Sequence, residues 1–348
     1  MALRKIPSAS TLKEDNDLED SMKTKLALAL LVLSANASAQ KHRLGDLNFF
    51  QKKSSIYWNS ELQSTKGEST YEFDLQDGDN DVLKNKFDTL LFLNRVNYGI
   101  TDRLNAGIGF NYAIKNEVKN TSSTLNSTPG IKLKTFENAG LSDVTFNGNY
   151  RLLDQKFYLD FGTALTLAIG DREAGSATAG GGSKDGNFQQ GHHSLNMTAA
   201  VGQKISAIEW RVRAALDYHL DGEYTSVRSG SSDVVFDTES YMNFLLLGQV
   251  QYRPLTDLAI AASIDYIIPA DRELSASNQD VTLESENILT YGLTGKYNLT
   301  ESILLKAGYQ LVSEYQIDSK IKVFGFSNDA REKDINYQRF LVGAEFLF

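Results

Sequence analysis

From Ile208 to Leu220 the chain alternates almost without exception. Ile208, Trp210, Val212, Ala214, Leu216, Tyr218 and Leu220 are interleaved with Glu209, Arg211, Arg213, Ala215, Asp217 and His219. A period of two places the sets on opposite faces of a β-strand, one greasy and one charged. Residues 104–114 and 157–169 repeat the pattern, and 144–152, 195–205, 242–252, 258–268, 289–299, 303–315 and 337–348 behave alike. Residues 54–64 and 87–98 are weaker, and in the second the apolar parity is ambiguous from Leu90 to Leu93. That makes about twelve strands, many of them reaching the ~9–11 residues that cross a tilted bilayer span. An even number returns both chain ends to one side.

The connections alternate in length. Short turns fall at Gly99–Arg103, Leu153–Lys156, Ser206–Ala207, Leu255–Asp257 and Thr300–Ser302, and long polar links at 66–86, 116–140, 171–191, 222–238, 271–285 and 317–336. This layout predicts an all-β fold: a membrane-spanning, antiparallel up-and-down β-barrel with short periplasmic turns and long extracellular loops. A soluble exported β-protein is the contrasting expectation, and it would be extracted from membranes by carbonate or urea. No apolar run approaches the ~18 residues of a membrane helix, which excludes a helical membrane protein, while a mean hydropathy of −0.31 still allows a barrel, whose alternating strands average out. Eighteen Phe and 16 Tyr against 4 Pro suit pleated surfaces, and without cysteine no disulfide or thiol chemistry is available. A net charge of −9 argues against nucleic acid as a partner.

Ahead of the strands, Met22-Lys-Thr-Lys leads into the apolar run Leu26–Leu33 and then into Ala37-Ser-Ala39 before Gln40. A positive region, an apolar region and small residues at Ala37 and Ala39 are the marks of a cleaved signal peptide. The expected division is a non-native extension at 1–21, a signal peptide at 22–39, and a barrel at 40–348 exported to the bacterial outer membrane.

The short turns repeat weakly. Tyr98-Gly-Ile-Thr-Asp-Arg-Leu104, Tyr252-Arg-Pro-Leu-Thr-Asp-Leu258 and Tyr297-Asn-Leu-Thr-Glu-Ser-Ile303 share a tyrosine, a Thr-Asp/Glu turn and a re-entering aliphatic. Aromatic rings at strand ends suit the lipid headgroup layer, so Tyr98, Tyr150, Phe157, Trp210, Tyr252, Tyr297, Phe346 and Phe348 form an expected girdle against outer-membrane lipid. The closing Gly343-Ala-Glu-Phe346-Leu-Phe348 resembles the assembly signal of bacterial outer-membrane barrels, with Leu341 where a polar residue is usual. That resemblance implies the barrel-assembly machinery as a partner through Phe348.

The stretch from Tyr98 to Phe110 (YGITDRLNAGIGF) resembles the turn-and-strand pattern of outer-membrane proteins associated with meta-pathway phenol degradation. The likeness of hairpin style extends over most of the mature chain. It implies a barrel that moves small organic molecules.

If the apolar sets face lipid, the opposite sets line a lumen. Strand direction then puts Arg95, Arg151, Asp160, Glu209, Arg211, Arg253, Lys296, Lys306 and Glu345 in the periplasmic half, while Arg213, Asp217 and Arg339 lie farther along. Basic groups outnumber acidic ones, so an open constriction would favour anionic solutes. The expected function is passive passage of small solutes, organic or anionic among them. The alternative is a structural or surface-interaction barrel whose lumen is filled by salt-bridged side chains.

His192 and Ser194 share one strand face at the spacing used by outer-membrane lipid hydrolases, but their parity is lumenal, away from the substrate's membrane. His219, near Asp217 and Asp221, reads as a wall residue rather than a metal ligand. The acidic run 74–81 offers carboxylates for calcium but has Val82 where an EF-hand needs its glycine, so a solvated loop is expected. With no phosphate-binding glycine loop, zinc signature or triad, neither enzyme chemistry nor a cofactor nor a resident metal is expected.

Overall fold

A computed structural model describes residues 43–74, 80–123, 135–169, 182–183, 192–227, 234–276, 279–323 and 326–348. The candidate cleavage residues Ala37, Ala39 and Gln40 and most of the acidic run 74–81 lie outside them. Twelve strands make the wall: β1 (Ile56–Asp74), β2 (Asn80–Thr101), β3 (Leu104–Ser123), β4 (Thr135–Asp154), β5 (Tyr158–Ala168), β6 (Ser194–Ile205), β7 (Ile208–His219), β8 (Tyr241–Tyr252), β9 (Leu258–Ile268), β10 (Ile288–Thr300), β11 (Ile303–Val323) and β12 (Phe326–Leu347). Each pairs antiparallel with its sequence neighbours, and β1 closes the ring on β12 with Tyr57 opposite Leu347. The seam is tied at its end by Ile56 and Phe348, whose amides donate to each other's carbonyls at 2.9 and 2.8 Å. Closure leaves no unpaired edge, which a wall in hydrocarbon requires.

The turns follow from local chemistry. In the Thr-Asp-Arg and Thr-Glu-Ser turns the hydroxyls of Thr101 and Thr300 each accept the amide two residues on, from Arg103 and Ser302, both at 3.1 Å. The tight β6–β7 hairpin turns through Ser206 at φ 55°.

The faces are inverted relative to a water-soluble protein. Phe110, Phe146, Leu165, Met197, Leu246, Val250, Ile264, Leu293 and Val342 point outward and are exposed, whereas Arg151, Glu209, Gln251 and Thr290 are buried inside. A continuous apolar belt around a closed barrel with a polar interior is the design of a membrane-spanning barrel. Tyr98, Tyr150, Tyr252, Tyr297 and Phe348 are exposed on this outer wall beside the short turns. Trp210 sits with them against Phe157 at 6.4 Å, and Phe346 packs on Trp58 at 5.1 Å.

The wall differs in height from the sequence reading. β1, β2, β11 and β12 run for 19, 22, 21 and 22 residues, so much of the expected loops 66–86 and 317–336 is strand. Short two-stranded extensions likewise occupy parts of 222–238 and 271–285. Polar side chains stand on both faces there, so the hydrophobic alternation fades while the backbone ladder continues. Ion pairs such as Lys333–Glu72 at 2.5 Å and Arg331–Asp318 at 2.6 Å replace apolar packing there. The ambiguous parity of 87–98 also has a cause. Leu93 lies opposite lumenal Glu61 and Asn111 while Phe92 packs on outward Phe110, so this strand carries apolar residues on both faces.

Candidate functional site in the barrel lumen

Residues 43–53 do not lead straight into β1. They fold up into the periplasmic mouth of the barrel. The Asp46 amide donates to the Arg43 carbonyl at 3.1 Å and the Arg43 amide donates to Asp46 Oδ2 at 2.9 Å, making a compact turn. Gly45, at φ +86°, lies so close to Leu304 that an added Cβ would stand 2.2 Å from its Cδ1. Leu44 and Leu304 are 2% and 0% exposed, apolar side chains buried in a mostly polar lumen.

The wall holds this segment with charge. Asp46 accepts from Lys204 at 2.6 Å and from Arg253 at 2.7 Å. Burial works against its charge, but the hydrogen bonds from Lys204 and the Arg43 amide, with the charges of Lys204 and Arg253, hold its carboxyl below the ordinary value. Lys296 donates to the Gly45 carbonyl at 2.8 Å, Arg211 to that of Leu47 at 2.7 Å, and Arg151 to that of Asn48 at 2.8 Å. Glu209 accepts the Leu47 amide at 2.7 Å and pairs with Lys204 at 3.1 Å. Asp160 joins Arg151 at 2.8 Å and Arg211 at 3.0 Å, and the Arg151 guanidinium lies over the rings of Phe50 and Tyr158 at 4.7 and 5.0 Å. Gly202 makes room for the segment, since a Cβ there would meet Asn48 Oδ1 at 2.1 Å.

Most of the cations that parity puts in the periplasmic half are therefore engaged with carboxylates and backbone carbonyls rather than left bare. Lys306 is likewise paired, with Glu61 at 2.8 Å and Glu345 at 3.3 Å. The sequence reading missed the segment, along with Lys204 and Asp46. Its only signal is a short run without alternation between the expected cleavage site and the first strand. Nothing local says that such a run turns inward.

Above the segment the lumen widens into a cavity of about 750 Å³, and beside it lies a smaller one of about 260 Å³. Asn149 lines both, so the two adjoin. One wall of the larger chamber is a lattice of amides and hydroxyls. Asn147 donates to Asn97 at 2.9 Å, Asn149 donates to Asn105 at 3.0 Å, and the hydroxyls of Thr145 and Thr166 meet at 3.1 Å. Arg95 and Arg213 also line the chamber, and neither makes an ion pair or hydrogen bond among the described residues. Arg339 donates to Gln310 at 2.9 Å and lies over the Tyr337 ring at 5.6 Å.

Near the extracellular rim, His219 bonds Asp217 at 3.0 Å and stacks on Tyr241 at 4.4 Å. His192 donates from Nδ1 to the Leu220 carbonyl at 2.6 Å and packs edge-on against Tyr241 at 5.7 Å. Ser194 and His192 both line the chamber and face away from lipid. Among the described residues no cluster of three or more His, Cys, Asp or Glu has the arrangement of a metal site.

No family model matches the chain, and no curated protein matches it in sequence. Solved structures do. An outer-membrane channel from Pseudomonas putida F1 superposes with a TM-score of 0.55 at 13% identity, over 88% of this chain and 100% of that one. The translocator domain of the autotransporter NalP from Neisseria meningitidis gives 0.47 at 10% identity, over 95% and 97%. The toluene transporter TbuX from Ralstonia pickettii gives 0.46 at 12% identity, over 86% and 90%. At these identities the likeness speaks to the fold. The chain shares the closed β-barrel fold of that Pseudomonas putida protein.

Proposed function

We propose that this chain is an outer-membrane channel for passive passage of small solutes. Solutes enter the large chamber from the cell exterior and leave past the amino-terminal segment. The observation that carries the reading is a polar-lined lumen, with cavities wide enough for water, inside an apolar outer wall. Arg95 and Arg213 point inward yet are solvent-exposed, and the chamber adjoins the lower cavity at Asn149. Passage needs no catalysis. It needs a polar path whose groups replace water at each step, and the Asn, Thr and Ser side chains of the chamber provide one. The segment 43–53 narrows the exit, so the channel favours small solutes over large ones.

Liposome swelling with neutral solutes of graded size tests this. Rates should fall steeply with solute size, and vesicles lacking the protein should not swell. Protein-containing vesicles that swell no faster than empty ones, with silent planar-bilayer records, would establish the closed structural barrel instead.

A further inference from the structure

The lower cations are neutralised where they stand, but Arg95 on β2 and Arg213 on β7 are not. Both face the same chamber from well-separated strands, and among the described residues neither has a carboxylate or carbonyl partner. Asp265, which shares the cross-strand neighbour Leu247 with Arg213, acts on it through space, but among the described residues no ion pair within 4 Å joins them, and its Oδ1 has no hydrogen-bond partner. The other charges on the chamber wall do not cancel the pair. Asp217 is held by His219 at 3.0 Å, and Arg272 adds a further cation above the Tyr241 ring at 5.7 Å. Apolar side chains of Ile267, Pro269, Ile288 and Ile317 line the same space.

We propose that this chamber is a recognition site for small organic anions, their carboxylate drawn to Arg95 and Arg213 and their hydrocarbon body lying against Ile267, Ile288 and Ile317. The proposal rests on the channel reading and names the solute class it selects. A guanidinium matches a carboxylate with two parallel hydrogen bonds, and within low-dielectric walls its field reaches further than in bulk water. A cation with the same hydrocarbon body would be repelled. A neutral analogue would keep the apolar contact but lose the charge-assisted bonds. A cavity of about 750 Å³ falls within the range that encloses small ligands.

The test uses hexanoate, hexanamide and hexylammonium, which differ in charge but share a similar body. Equilibrium binding to the full-length protein in detergent should be roughly tenfold tighter for hexanoate than for hexanamide, with hexylammonium weakest. The double variant Arg95→Gln/Arg213→Gln should bring hexanoate down to the level of hexanamide. Each single variant should lower it several-fold, which keeps the test alive if the double variant does not fold. A shift in gel mobility on boiling checks the fold of each. Equal binding of hexanoate and hexanamide to the unmodified protein overturns the proposal, as does a preference that survives both substitutions. Liposome swelling with the same solutes separates the two ideas. Preferential binding with no passage sinks the channel and spares the site, while equal passage of all three without preferential binding does the reverse.

Discussion

Asp46 is the pin of the amino-terminal segment, and Asp46→Asn is the substitution that tests how firmly it is held. The carboxylate side chain is 0% exposed and takes one charged donor on each oxygen, Lys204 at 2.6 Å and Arg253 at 2.7 Å. Asparagine keeps the shape and one acceptor but removes the charge. The oxygen that remains still accepts from one cation, but without its charge, while the amide NH2 cannot accept from the other, so that contact is lost; together these cost about 3–4 kcal/mol before any relief. The stranded cations are partly rescued, because Lys204 keeps Glu209 at 3.1 Å and Arg253 keeps Asn298 at 3.1 Å. The net loss is therefore about 2–3 kcal/mol, well below the cost of an uncompensated buried charge. That corresponds to a rise of roughly thirtyfold to one hundred and fiftyfold in the undocked population.

The chain has no cysteine, so a single thiol placed at Gln51, which is 4% exposed, reports the change cleanly. Its reaction with a water-soluble maleimide in liposomes should accelerate in the Asp46→Asn background by about the same factor, provided that docking and undocking are fast relative to labelling. An unchanged rate, in a barrel that still shifts on the gel when boiled, would refute the idea that charge holds the segment in place.

Gly202→Val should undock the segment without touching a charge, since a Cβ there would lie 2.1 Å from Asn48 Oδ1, and it should raise single-channel current. Acid should act through Asp46 in the same direction. A carboxyl held below its ordinary value stabilises the docked state above pH ~4 and loses that contribution as pH falls through the lowered value. Current through the unmodified protein should therefore rise as acid protonates Asp46 below pH ~4, and that acid response should be absent from Asp46→Asn; an identical response in both proteins would contradict the assignment. Leu246→Arg on the lipid face should cost about 2–4 kcal/mol in urea titrations of the vesicle-inserted barrel, whereas Asn196→Lys, facing the chamber, should cost far less. Equal costs would mean that the faces have been assigned the wrong way round.

How much of this was legible beforehand depends on the range of the physics. The alternation from Ile208 to Leu220 is a property of neighbouring residues, and the requirement that every strand in lipid be paired turns such strands into a closed wall. The chain alone therefore determined the barrel, its strand number and the division of its strands into two unlike faces. It could not show where strands end beyond the apolar belt, because a ladder with polar side chains on both faces leaves no hydrophobic period in the residues.

Nor could it show what the inward charges do. Arg151, Arg211 and Arg213 look alike in their strands, yet the first two grip backbone carbonyls at Asn48 and Leu47 while the third lines the chamber and makes no hydrogen bond or ion pair among the described residues. That difference depends on contacts such as Arg211–Leu47, 164 residues apart in sequence, made only when the ring closes and the segment 43–53 turns inward. Local pattern sets the direction of a side chain; the partner it meets there is decided by the tertiary fold.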